Sequence, residues 1–311
     1  MAHLVTEKTV SRIKLSGADR TLVIINGILL FLFTIIELYP LIFVLSASIS
    51  DPDAVANGEM ILWPVGLDLG GYKFIFDYKA IWSGYANTIF YTVLGTLVNL
   101  FLTLPAGYAL SRRDLKFRGI FMVFFMITMY FSGGMIPTFL IVKQLGLYNT
   151  RMAMLLITGV STYNLIVCRT FFANTIPWEL HEAARIDGAN DFRTFARIVL
   201  PLSSPIIVVM ILYYAVGHWN SYFNALIYLN DKDKWPLQLQ LRKILILGEF
   251  MKEAIAQGTG NEDYDAMLKQ IDQINMIKYG IIVVASLPML IVFPFLQKYF
   301  SQGIMIGSVK G

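Results

Sequence analysis

Charge is scarce in this chain. Of 311 residues only 15% are Asp, Glu, Lys or Arg, while 56% are hydrophobic. Soluble globular domains carry about 25% charged residues. A mean hydropathy of +0.61 points the same way, so an ordinary soluble domain is excluded and a membrane protein is expected. Cysteine is nearly absent. Cys168 alone cannot form an intrachain disulfide, so cysteine usage says nothing about compartment. With three histidines, a metal site is not expected. His181-Glu182 opens like the zinc motif H-E-x-x-H, but Arg185 stands where the second histidine belongs. The phosphate-cradling pattern G-x-x-x-x-G-K-[ST] is missing too, so this chain does not hold ATP through it. No catalytic residue, internal repeat, low-complexity tract or separate soluble domain is evident.

What the sequence does have is long apolar runs. A helix needs about 20 such residues to cross the hydrocarbon core. Runs at 21–48, 84–110, 120–142, 152–172, 201–229 and 279–296 predict an all-α membrane protein with six transmembrane helices. Lys8, Arg12, Lys14 and Arg20 resemble the charged start of a signal peptide. The run that follows is too long for one and shows no cleavage site, so it is taken as a retained span. Basic residues set the orientation. The N-terminal segment, the turn with Arg112, Arg113, Lys116 and Arg118, and the loop with Arg185, Arg193 and Arg197 are expected inside. The loop 51–83, rich in Asp and Glu, is expected outside. Both termini are then cytoplasmic. The organisation expected is a cytoplasmic segment 1–20, a six-span transmembrane domain 21–298 and a cytoplasmic tail 299–311. The net charge of +4 reflects this inside bias, not nucleic acid. Within the outer loop 230–278, residues 236–241 alternate Leu and Gln and predict an extended segment. Residues 244–257 predict a helix, 258–263 a turn-rich tip, and 263–277 a helix with Met267, Leu268, Ile271 and Ile274 on one face.

One inner stretch, EAARIDGAND at 182–191, stands out from its apolar surroundings. Thr175 can cap a helix that holds Pro177 and Glu179 early, where both are favoured. Leu180, Ala183, Ala184 and Asp187 then share one small-residue face. Gly188 supplies the stop and Asn190 or Asp191 caps a second helix. The unit is a helix–turn–helix across the inner face, either a close-contact knob or an ordinary amphipathic loop.

The string EAARIDGANDFRTFARIVLPLSSP resembles the EAA loop of membrane subunits of ATP-binding-cassette (ABC) importers, matching at Glu182, Ala183, Ala184, Asp187, Gly188, Ala189, Phe195, Leu200 and Pro201. Leu38-Tyr-Pro-Leu41, Ala106-Gly-Tyr-Ala-Leu-Ser-Arg112, Gly134-Met-Ile-Pro137 and the tail 300–311 are similar to carbohydrate-importer permeases of the maltose-transporter G-subunit type. The resemblance implies a type I ABC importer permease fold in a bacterial inner membrane. It implies that Glu182, Ala183, Ala184, Arg185, Asp187, Gly188 and Ala189 dock into an ATPase subunit. It implies that Gly307, Val309 and Lys310 of the tail reach the ATPases. The implied partners are a second homologous permease, an ATPase dimer binding ATP and Mg, an extracytoplasmic solute-binding protein and membrane lipid; no cofactor is expected in this chain.

Span five carries Tyr213, Tyr214, His218, Trp219, Asn220, Tyr222 and Asn224. Such polarity suits a translocation wall, since aromatic faces stack on sugar rings and amides bond hydroxyls. Interhelical hydrogen bonding plus an aromatic belt is the alternative. Glu37 is the lone acid of span one, and Gly133, Gly134 and Pro137 should loosen span three. Residues 215–225 and 236–242 look like the branch that handles complex, often acidic, oligosaccharides such as aldouronates, pectin fragments or alginate. A neutral oligosaccharide remains open. So does an ion-coupled secondary transporter, which predicts buried acidic or basic relays and discontinuous, repeated spans.

Overall fold

The computed structural model describes residues 16–256 and 264–308, whose regular structure is helical apart from one isolated bridge, Ser50 to Leu67. The chain divides into two units, Met1–Asp68 and Leu69–Gly311.

In the first unit, Ser16 begins helix α1 (Gly17–Ala47) with a reciprocal cap. Its Oγ accepts from Asp19 N at 3.2 Å, and the Asp19 carboxylate accepts from Ser16 N at 3.1 Å. At about 1.5 Å per residue the helix exceeds the roughly 30 Å hydrocarbon thickness. Leu22, Phe31, Ile36 and Leu41 are all exposed, so its apolar surface has no polar side, as in a membrane span. Glu37 is exposed on this helix. Ser46 Oγ donates to Leu62 O at 2.6 Å and Ser50 Oγ to Ser46 O at 2.6 Å, folding the chain back after α1. Asp51 caps the short α2 (Pro52–Ala56).

The second unit is built around α4 (Lys79–Ser111), preceded by α3 (Gly70–Asp77). Further helices are α5 (Arg118–Tyr130), α6 (Met135–Gln144), α7 (Arg151–Leu156) and α8 (Thr162–Thr175), then α9 (Trp178–Ile186) and α10 (Asp191–Thr194). A π-helical segment Phe195–Val199 leads into α11 (Leu200–Leu202), α12 (Ser204–Trp219) and α13 (Tyr222–Tyr228). The order closes with α14 (Leu237–Ala256) and α15 (Tyr264–Ser308). One apolar core sits between α4, α8 and α12, with Leu104, Cys168, Phe172, Val199 and Met210. Another joins α3, α4, α14 and α15 through Ile75, Ile81, Leu237, Ile277 and Ile281.

Among the described residues, α1, α4 and the part Ile271–Pro294 of α15 are long and apolar enough to cross a membrane, or five spans if two bent pairs each count as one. The third, fourth and fifth expected spans are interrupted. The third bends by 112° between α5 and α6, where Gly134 adopts φ +86 and caps α6. The fourth breaks between α7 and α8, which restarts when Ser161 Oγ accepts from Asn164 N. The fifth bends by 84° ahead of α12, which has proline in its first turn, and breaks again before α13.

Two local expectations are overturned. Thr175 ends α8, and α9 begins without a side-chain cap, after Pro177. Residues 237–241 are not extended but start α14, directly after Pro236. Leu237 and Leu241, one helical turn apart, enter the core with Ile75 and Ile277; Leu239, on the opposite side, packs with Tyr91, Met154 and Leu229. A helix wedged between two clusters buries alternate residues, which imitates a strand. Residues 244–256 continue this helix, and the backbone over 264–277 is helical as expected. The tip at 258–263 lies outside the described residues.

Candidate functional site

The EAA segment is fixed by its ends. α9 stops where Gly188 takes φ +73, with Gly188 N donating to Arg185 O at 3.2 Å and Ala189 N to Ala184 O at 2.9 Å. Asn190 Oδ1 then accepts from Arg193 N at 2.8 Å and caps α10. Glu182, Ala183, Arg185, Asp187 and Gly188 are exposed, Ala189 is half-buried, and Ile186 is 86% exposed. Ala184 corrects the expected small face: it is 3% exposed and turns into this chain, not outward. Ala183 and its exposed neighbours form the outer surface.

Behind that surface lies a stack of rings. Trp178 lies 5.2 Å from His181, His181 5.7 Å from Tyr108, and Tyr108 5.0 Å from Phe195, all near parallel. Arg112 wedges into it, 5.7 Å from the Trp178 ring centre and 5.9 Å from that of Tyr108. Its Nη1 donates to Tyr108 Oη at 3.1 Å and pairs with Asp191 at 3.1 Å, and the guanidinium also pairs with Asp114. The end of α4 is thereby clamped to α9 and α10. The hydrogen bond from Arg112 holds the Asp114 carboxyl below its ordinary value and raises the guanidinium in turn. Burial lowers the His181 pKa, with Arg112 adding to the fall and the Pro177 carbonyl, Asp114 and Asp191 opposing it. Trp178 Nε1 donates to Glu182 Oε1 at 3.0 Å, fixing the first acid of the motif.

At the other end of α12 is a cleft of about 510 Å³. Tyr213, Tyr214, His218, Asn220 and Asn224 line it, joined by Ser161, the cap of α8, and by Asn164 within that helix. Two residues expected there are elsewhere. Trp219 is buried against α15, its Nε1 donating to Ala285 O at 3.3 Å. Tyr222 lies under the Arg242 guanidinium, 5.1 Å away. Gly307 is in α15, while Val309 and Lys310 are outside the described residues. Among the described residues no group of three His, Cys, Asp or Glu could hold a metal ion.

Sequence reasoning missed the polar stripe of α4. Asn87 Nδ2 donates to Asp233 O at 2.7 Å and Trp235 O at 3.1 Å, and Thr88 Oγ1 accepts from Leu237 N at 2.8 Å. Tyr91 Oη donates to Lys234 O at 2.8 Å. Asn99 and Thr103 continue the stripe toward the cleft. Their spacing of three and four inside an apolar run was the available signal.

Residues 78–306 match the family described as binding-protein-dependent transport system inner membrane component. The chain is 43% identical over 289 residues to the polygalacturonan/rhamnogalacturonan transport system permease protein YtcP of Bacillus subtilis (strain 168), covering 93% of this chain and 97% of the relative. Protein LplC of the same organism is 40% identical, with 89% and 90% covered. A chain from the crystal structure of a bacterial ABC transporter involved in the import of the acidic polysaccharide alginate aligns with a TM-score of 0.80. It is 36% identical, and the match covers 92% of this chain and 99% of that one. Discontinuous helices were one of the marks of the ion-coupled rival, and they are present here; the family match decides between the two. The chain belongs to the binding-protein-dependent inner membrane transport components, as an ABC importer permease and not an enzyme.

Proposed function

We propose that this permease imports acidic oligosaccharides, the uronate-rich fragments of polymers such as pectin or alginate. The carrying observation is agreement between two relatives: one is named for polygalacturonan and rhamnogalacturonan, the other for alginate, at 43% and 36% identity over nearly the whole chain. The remaining subunits are a second permease, an ATPase pair that binds ATP and Mg, and an extracytoplasmic binding protein. The exposed part of the EAA segment, from Glu182 to Gly188, docks into the ATPase on the cytoplasmic side, where both termini lie. When the ATPases close, α9 moves, Arg112 and the ring stack carry that motion to α4, and the spans rock to alternate access. Sugar passes along the cleft, where the Tyr213 ring offers a stacking face and Asn220 and Asn224 offer amide partners for hydroxyls.

Reconstituted importer, assembled with its ATPase and binding protein in vesicles, tests this. Uptake of oligogalacturonate or oligoalginate should depend on ATP and exceed uptake of a neutral oligosaccharide of equal length. Equal or faster uptake of the neutral sugar refutes the acidic assignment. ATP hydrolysis unaffected by changes across the exposed EAA surface refutes the coupling assignment.

A further inference from the structure

The break between α7 and α8 forms part of the cleft wall, through Thr158, Val160, Ser161 and Asn164. A broken helix frees backbone groups that hydrocarbon cannot satisfy. Here two carbonyls and one N–H are taken up by side chains from two neighbouring helices. Asn99, fully buried midway along α4, donates through Nδ2 to Thr158 O at 2.6 Å and Gly159 O at 2.8 Å. Both amide hydrogens are then used, so only Oδ1 remains, as an acceptor. His218 Nε2 lies 2.7 Å from it and must be the donor, which fixes the imidazole with its proton on Nε2. At the far side of the break, Ser161 N donates to Tyr214 Oη at 3.3 Å, and that hydroxyl pairs with Thr103 Oγ1 at 2.6 Å. His218 and Tyr214 belong to α12, one helical turn apart.

We infer that Asn99, His218 and Tyr214 are positioning residues, which tie the broken wall of the cleft to α12. The inference rests on the cleft being the sugar path and on the EAA segment being the coupling element. The geometry gives α12 two attachments. Its first end continues through α11 and the π-helical segment to the EAA helices, and its last turn carries His218. A displacement that starts at the EAA segment therefore reaches the cleft wall along one helix and two hydrogen-bonded ties. His218 borders the cleft but is only 4% exposed, and in this scheme it acts through Asn99. It holds the amide that holds the backbone.

The test uses the complete importer in vesicles and reads sugar taken up per ATP hydrolysed, normalised to assembled complex. His218→Ala should lower that ratio at least about tenfold. His218→Gln, whose amide can still donate to Asn99 Oδ1, should recover most of it. Tyr214→Phe deletes one hydroxyl with little change of shape and should lower the ratio about threefold. A role confined to folding would change the yield of complex but not uptake per ATP, and Gln would rescue yield alone. Wild-type uptake per ATP in His218→Ala or Tyr214→Phe overturns the inference. Wild-type importer that hydrolyses ATP without moving sugar would instead overturn the functional assignment on which it rests.

Discussion

Replacing Gly95 by alanine should damage the permease through one identifiable atom. A Cβ at residue 95 would collide with Cε1, Nε2 and Cδ2 of the His218 ring. That ring is 4% exposed and held to Asn99, so it has little freedom to yield. If the helices part, the cost is that of overpacking, about 1–3 kcal/mol. If the ring swings away, Asn99 Oδ1 loses its donor inside the protein, which costs about 1–3 kcal/mol as well. Alanine is otherwise the better helix former by about 1 kcal/mol. The sign of the effect therefore depends on His218. Gly95→Ala should lower the thermal midpoint of the purified importer in the wild-type background. In a His218→Ala background it should be neutral or stabilising. A double-mutant cycle over the four proteins should show a coupling of at least about 1 kcal/mol. Equal midpoint shifts from Gly95→Ala in both backgrounds would refute the packing of α4 against α12 described here.

On the EAA surface, Ala183→Arg should cut sugar uptake per ATP about tenfold while leaving the melting midpoint unchanged, because the added bulk and charge sit on an exposed face. An unaltered transport ratio would remove Ala183 from the interface. Ala184→Arg should instead reduce the yield of folded permease, because its site is only 3% exposed; normal yield would contradict the inward orientation. Arg112→Lys keeps the charge but loses the planar fork that serves Tyr108, Asp114 and Asp191 together. Stimulation of the ATPase by loaded binding protein should fall in Arg112→Lys and fall further in Arg112→Ala, and full stimulation in both would dismiss the clamp. His181 gives a pH dependence with a definite sign. Its folded pKa is lowered by burial, so the unfolded chain takes the proton first and the stabilising contribution is complete above about 6.5. It is lost as pH falls from there through the folded value, and His181→Phe should flatten that part of a stability–pH profile. A profile that keeps its slope in the variant would assign the loss to another group.

The elements legible in the sequence are those whose cause is local. Gly188 stops a helix because the left-handed backbone it adopts suits glycine, and Asn190 caps the next because its side chain reaches the backbone three residues on. Gly134 similarly marks the bend between α5 and α6. Where two surfaces compete for one segment, local pattern fails. The Leu-Gln alternation at 237–241 looks like a strand because both sides of a helix are buried there. Ala183 and Ala184 look equivalent, yet one residue of helical rotation puts Ala184 in the core and Ala183 in solvent. The break between α7 and α8 has a local signal that sequence reasoning missed: Thr158, Gly159, Ser161, Thr162 and Asn164 interrupt the middle of the run 152–172, and Ser161 caps the helix that restarts. What changes there is the backbone, whose carbonyls at Thr158 and Gly159 leave the helical ladder, and a carbonyl is common to every residue. A second trace of that break is its partner, an asparagine in the middle of α4. An amide in an apolar span needs neighbours for three hydrogen-bonding atoms. Asn99 finds two of them in a helix that has come apart and the third in His218. A buried amide inside an expected span is thus a prompt to look for a broken helix elsewhere in the chain.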